Sequence, residues 1–252
     1  MSRRLLELIL TFSGPVVILL VWETLSRMEW INPLFWPAPS TLWPTAVEMF
    51  RHRGLIDDLG ISLYRITGGF IIGTIPGVIL GLAMGLFWPV RVFFMPIASA
   101  IYAIPKMAIL PLAIIAFGVG ELSKVMIVAI SVLFMIALST MGGVLAIDDQ
   151  FHDVATNLGA SKWQMFYTVA LPGSLAPIFT GMRLSLGFAL IVIVGTEFLM
   201  ANEGIGHVIW QNYQILRIKE MYVGLIITGL LGWAMNLVLD MAERILVPWR
   251  NS

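Results

Sequence analysis

DDQFHDVATNLGASKWQMFYTVALPGSLA, from Asp148 to Ala176, is the one long polar interruption in an otherwise apolar chain. Apolar runs too long for ordinary core helices lie on both sides of it. Within it Phe151, Val154, Ala155 and Leu158 recur at i, i+3, i+4 and i+7. After Gly159 the same spacing returns as Trp163, Phe166, Tyr167 and Ala170. That period describes two short amphipathic helices, each with a single apolar stripe. Gly159 reads as the stop of the first helix. Leu171-Pro172 is expected to end the second, because proline disfavours helix at the residue before it. Paired amphipathic helices between two spans either lie in the lipid interface or present a surface to a partner. The spacing allows both.

Composition places the surrounding chain in a membrane. Apolar residues make up 59% and charged residues 12%, against about a quarter charged in soluble domains. The formal net charge is zero, so no basic field calls for nucleic acid. Cysteine is absent and the three histidines, His52, His152 and His207, are far apart. Disulfides and thiolate sites are excluded, and neither a metal centre nor a resident cofactor is expected. Arg3-Arg4 precedes an apolar run that continues to Trp22 with no small-residue cleavage site; it reads as a retained span rather than a signal peptide.

A helix needs about 20 mostly apolar residues to cross a bilayer. On that criterion the chain is an all-α membrane protein, a single domain over residues 1–252. Its six spans run approximately 5–25, 66–87, 92–117, 124–147, 177–200 and 221–247. Each must be helical, because hydrocarbon offers no partner for backbone groups. A wet segment, Ser26 to Arg65, separates the first two; its Trp43, Ala46, Val47 and Phe50 follow the helical template behind Ser40 and Thr41. An interfacial helix is the simplest account. A second wet segment, Ala201 to Glu220, turns at Glu203-Gly204-Ile205-Gly206 and carries a short surface helix.

The second span holds Gly69, Gly73, Gly77, Gly81 and Gly85, every fourth residue on one face. Such a stripe lets another helix approach backbone to backbone. That helix belongs either to the same bundle or to a neighbouring subunit. Pro96, Pro105 and Pro111 kink or break the third span, and Lys106 sits beside one of the breaks. Glu197 and Asp240 are the other ionisable residues deep in spans, with Arg183 nearer an end. Charges at that depth face protein or water. They either pair internally, as Lys106 with Glu197 would, or line a transport route.

Asp153-Val154-Ala155, three residues, Gly159, nine residues, then Val169-Ala170-Leu171-Pro172 resembles the coupling (EAA) loop of ABC-transporter permeases, with Asp for Glu and Val for the first Ala. PKMAILPLAIIAFGVGELSK (Pro105 to Lys124) and GMRLSLGFALIVIVGTEFLMANEGIG (Gly181 to Gly206) are similar to the nitrate/sulfonate/taurine branch of importer permeases. The resemblance implies a type I ABC importer-like fold in a bacterial inner membrane, with 148–176 a cytoplasmic coupling loop. It also implies an ATP-binding cassette ATPase subunit docked at Asp153, Ala155, Leu158, Gly159, Trp163, Phe166, Leu171 and Pro172. A periplasmic or lipoprotein substrate-binding protein would deliver a small anion, and two copies of the permease would form the path by alternating access. Lys106, Glu197 and Asp240 become path candidates on that reading.

Charge counting does not orient the chain: Arg3, Arg4, Arg91, Lys162, Arg244 and Arg250 fall on the loop side, and Arg27, Arg51, Arg53, Arg65, Lys124, Arg217 and Lys219 opposite. No G-x-x-x-x-G-K-S/T phosphate loop occurs, so ATP would be bound, with its magnesium, by the partner. Two rival classes stand beside this reading. A secondary transporter would couple its membrane charges to an ion and work without ATP. A non-transporting anchor for a cytosolic enzyme would explain the loop but not the intramembrane charges.

Overall fold

The computed structural model describes residues 3–251, with the side chains of residues 3–12, His152 and residues 250–251 left outside the description. Among the described residues every regular element is helical. The order is α1 (Arg3–Arg27), α2 (Pro39–His52), α3 (Leu55–Leu86), α4 (Trp88–Ala103), a 3₁₀ turn (Lys106–Ile109) and α5 (Leu110–Phe117). There follow α6 (Glu121–Leu145), α7 (Asp149–Asn157), α8 (Lys162–Met165), a π turn (Phe166–Ala170), α9 (Leu171–Met200), α10 (Ile205–Gln214) and α11 (Ile218–Leu246), with a closing 3₁₀ turn at Pro248–Asn251.

The bundle is organised around α6. Val128, Val132, Ile136 and Ala137 of α6 are wholly buried, and Ile66 of α3 with Leu186, Ala189 and Ile193 of α9 close around them. The glycine stripe makes this possible. A Cβ at Gly69 would lie 2.5 Å from Val128 Cβ, one at Gly77 2.7 Å from the Leu133 carbonyl, and one at Gly81 2.5 Å from the Ala137 carbonyl. The Gly73 site meets the Ala129 carbonyl, and the Gly85 site meets Val144. The stripe therefore seats α6 of the same chain. In lipid such close contact supplies the association that hydrophobic exclusion supplies in water.

Among the described residues four helical stretches are long and apolar enough to cross a membrane, namely α3, α6, the unbroken run Lys162–Met200, and α11. The expected third span, 92–117, is not one helix. α4 and α5 are bent by 97° about the break between them, so the pair makes a fifth crossing at most. Pro105, with no N–H to donate, sits at the break, whereas Pro96 is accommodated inside α4. The expected first span falls on α1, a helix of 25 residues, but the side chains of residues 5–12 lie outside the described set.

A second correction concerns Leu171-Pro172, which does not end a helix. Leu171 donates its N–H five residues back to the Phe166 carbonyl, the signature of a π turn. Pro172 then occupies the first turn of α9, where a missing N–H has no intrahelical partner to lose. The fifth span thus begins well before the expected Pro177. The second begins earlier too, because residues 55–65 of the wet segment are already helical in α3.

Candidate coupling surface and membrane charges

The interruption at 148–176 folds as two capped helical pieces. Asp148 accepts from the Gln150 N–H at 2.9 Å and starts α7. Gly159 closes it at φ +76°, a left-handed conformation glycine adopts without steric cost. Ser161 and Gln164 then form a reciprocal capping box. The Ser161 N–H donates to Gln164 Oε1 at 2.7 Å, and the Gln164 N–H donates to Ser161 Oγ at 3.3 Å. Ser161-x-x-Gln164 is a legible start signal in the sequence that the apolar spacing alone had not used.

The two stripes have different fates. Phe151, Val154 and Leu158 of the first are exposed, Leu158 by 83%, while Ala155 is half-buried. Asp153 is exposed beside them. In the second, Trp163 and Tyr167 are exposed and stack at 5.5 Å, Phe166 meets both edge-on, and Ala170 is wholly buried in the bundle. Trp163 and Phe166 also close a groove of about 860 Å³ against Ile79, Leu82 and Leu86 of α3 and Phe87 just beyond it. Leu171 and Pro172 are half-buried in the run into α9. A Cβ at Gly173 would lie 2.9 Å from Ile147 Cδ1, so the two ends of the loop touch.

Among the described residues three sets of charges lie in or beside the spans. At the end of the bundle away from 148–176, Arg65 donates to Glu121 through Nε at 2.6 Å and Nη2 at 2.7 Å. Its Nη1 donates to Glu197 Oε1 at 2.7 Å and to the Glu203 carbonyl at 2.9 Å. Glu197, fully buried, also accepts from the Ser62 hydroxyl at 2.7 Å and from the Gly206 N–H at 2.8 Å. Lys124 adds a 2.9 Å bond to Glu121. Both carboxylate oxygens of the buried Glu197 thus accept hydrogen bonds, which a buried charge requires. Nearer the loop, Arg183 of α9 pairs with Asp240 at 2.7 Å and with Glu243, both on α11.

The expected Lys106–Glu197 pair does not form. Lys106 Nζ instead donates to the carbonyls of Ile101 (2.5 Å), Tyr102 (3.1 Å) and Ile104 (3.0 Å), at the turn where α4 stops. Arg65 takes Glu197 in its place. Arg65, Ser62, Glu121, Lys124 and Glu243 were not singled out from the sequence. Asp58, Ser62 and Arg65 nonetheless precede Gly69 at i, i+4, i+7 and i+11, a polar continuation of the glycine face that marks them.

Residues 73–252 match the family described as binding-protein-dependent transport system inner membrane component, and the chain belongs to that family. It is a permease component of an ABC importer, resident in the inner membrane, whose ATP hydrolysis lies in a separate subunit. The chain is 30% identical over 251 residues to the taurine transport system permease protein TauC of Escherichia coli K12, covering 98% of this chain and 91% of TauC. It is 30% identical over 241 residues to the nitrate import permease protein NrtB of Synechocystis, covering 92% and 86%. Among solved structures, a chain of a bacterial alginate ABC transporter in complex with its alginate-bound periplasmic protein superposes with a TM-score of 0.64. Identity there is 12%, and coverage is 97% of both chains. A chain of the inward-facing MetNI methionine ABC transporter gives 0.60 at 20% identity, covering 77% of this chain and 94% of that one. Both fix the fold.

Proposed function

We propose that two copies of this chain enclose the translocation path of an importer for a small anion, and that residues 148–176 dock its ATPase subunit. The observation carrying the coupling role is continuity. From Lys162 to Met200 the chain is one helical run of 39 residues, reaching from the exposed Trp163 to the Glu197 network at the far end. A displacement imposed on Trp163 and Phe166 by the partner therefore moves α9 as a rigid lever. Asp153, Ala155, Leu158 and Gly159 supply the adjoining face, with the exposed Phe151/Val154/Leu158 stripe as an apolar ridge for a groove.

Glu197 and Asp240 act in this reading as packing residues, since each is held by an arginine of a neighbouring helix. ATP drives the cycle through the difference in affinity its partner has for two arrangements of the loop. The anion class rests on relatives named for taurine and nitrate transport. The test is uptake into vesicles holding the permease, its ATPase and its binding protein. Accumulation of taurine, an alkanesulfonate or nitrate that requires ATP is expected. Accumulation that persists without the ATPase subunit contradicts the reading.

A further inference from the structure

The elbow between α4 and α5 has two features that meet at one residue. Ile104 and Pro105 leave helical geometry, with ψ of 128° and 120°, and the helices on either side diverge by 97°. This break packs against a span: a Cβ at Gly195 would be 2.8 Å from Met107 Cε, and Gly195 lies inside α9, five residues before its end. Non-helical backbone within a span is tolerated where protein buries it or water lines it. Here Ala103, Ile104 and Pro105 are exposed, as are Tyr102, Leu112 and Ile115, the last by 82%.

The second feature is charge. Within the spans Arg65 and Lys124 are balanced by Glu121 and Glu197, and Arg183 by Asp240 and Glu243. Lys106 stands apart. Among the described residues it forms no ion pair; its three protons go to three carbonyls, and its Nζ lies 5.8 Å from the Tyr102 ring centroid. The ammonium is satisfied in hydrogen bonds yet not neutralised. An uncompensated cation facing hydrocarbon is costly, so the face it shares with the exposed backbone is one that meets water or a second protein surface.

Resting on the importer reading, we propose that the α4–α5 elbow lines the solute path and that Lys106 is its specificity-determining cation for anions. Because its protons are already bound, it attracts through space rather than gripping the solute. That suits a passage, where binding must be favourable enough to admit an ion and weak enough to release it.

The chain has no cysteine, so a single thiol reports the local potential. With Ala103→Cys in the reconstituted complete importer, modification rates by an anionic sulfonatoethyl and a cationic trimethylammonioethyl methanethiosulfonate are compared. The anionic-to-cationic ratio, referred to a free thiol, should be raised about tenfold, the low end of focusing in a charged cleft. It should fall toward one in Lys106→Gln and stay high in Lys106→Arg. Should Lys106→Gln fail to assemble, salt serves instead: raising it from about 0.01 M to about 1 M shortens the screening length from roughly 30 Å to 3 Å and must collapse the ratio. A ratio indifferent to both changes, or a thiol closed to both reagents, in an importer that still takes up solute on ATP, overturns this assignment and leaves the transport function standing. Absence of ATP-driven uptake in the parent overturns the transport function itself.

Discussion

Arg65 and Glu197 decide which charges in the bundle are structural. Both are almost completely inaccessible, and removing one partner of such a pair leaves a buried charge uncompensated, costing about 3–5 kcal/mol. Arg65→Met alone should therefore sharply reduce the fraction of folded permease recovered in mild detergent. Glu197→Gln alone should cost less, because Arg65 keeps both of its bonds to Glu121. The double variant should recover much of the Arg65→Met loss, since no fully buried carboxylate is then stranded and Glu121 keeps Lys124. Folded yield measured by fluorescence size exclusion checks this, and additive loss in the double variant counts against the pairing. The sequence made Glu197 conspicuous by its depth, yet assigned it to Lys106. Proximity in a span map carries no information on facing, whereas the i, i+4, i+7 polar row Asp58, Ser62, Arg65 does.

At the scale of elements, the glycine stripe was legible because its period of four matches a helix face and needs no knowledge of the neighbour. Which helix settles there was not legible, since period specifies a face and not its occupant. Gly77→Leu would drive a branched side chain into the Leu133 carbonyl and Ile136. Overpacking of this kind costs about 1–3 kcal/mol or more when backbone lies in the way. Ile75→Leu, on the exposed face of α3, should be silent. Thermal unfolding in detergent distinguishes them, and equal midpoints would remove the close-packing argument. The π turn before Pro172 escaped the spacing argument for a different reason. Proline in the first turn of a continuing helix and proline ending a helix look alike in sequence, and only the five-residue hydrogen bond from Leu171 tells them apart.

For the whole molecule, composition and apolar run length revealed an α-helical membrane bundle, and the spaced residues from Asp153 to Pro172 revealed its kind. The broken third span was foreshadowed by its prolines but counted as one crossing, because a length criterion is blind to a 97° bend. In the proposed cycle residues 148–176 transmit force between an ATPase and the bundle through the run Lys162–Met200. Gly159 is the joint: at φ +76°, with nothing within 4 Å of its Cβ position, substitution is resisted by backbone conformation and not by crowding. A β-branched residue there is strained by about 1–3 kcal/mol and should relax by swinging α8 away from α7. The most direct measurement places single cysteines at Leu158 and Ala160 and crosslinks each to the ATPase subunit, with and without Gly159→Val, while ATP-driven uptake is followed in the same vesicles. Crosslinking in the parent, together with uptake lost but ATP hydrolysis retained in Gly159→Val, is the predicted result. No crosslink from either position, with normal uptake in Gly159→Val, would contradict it.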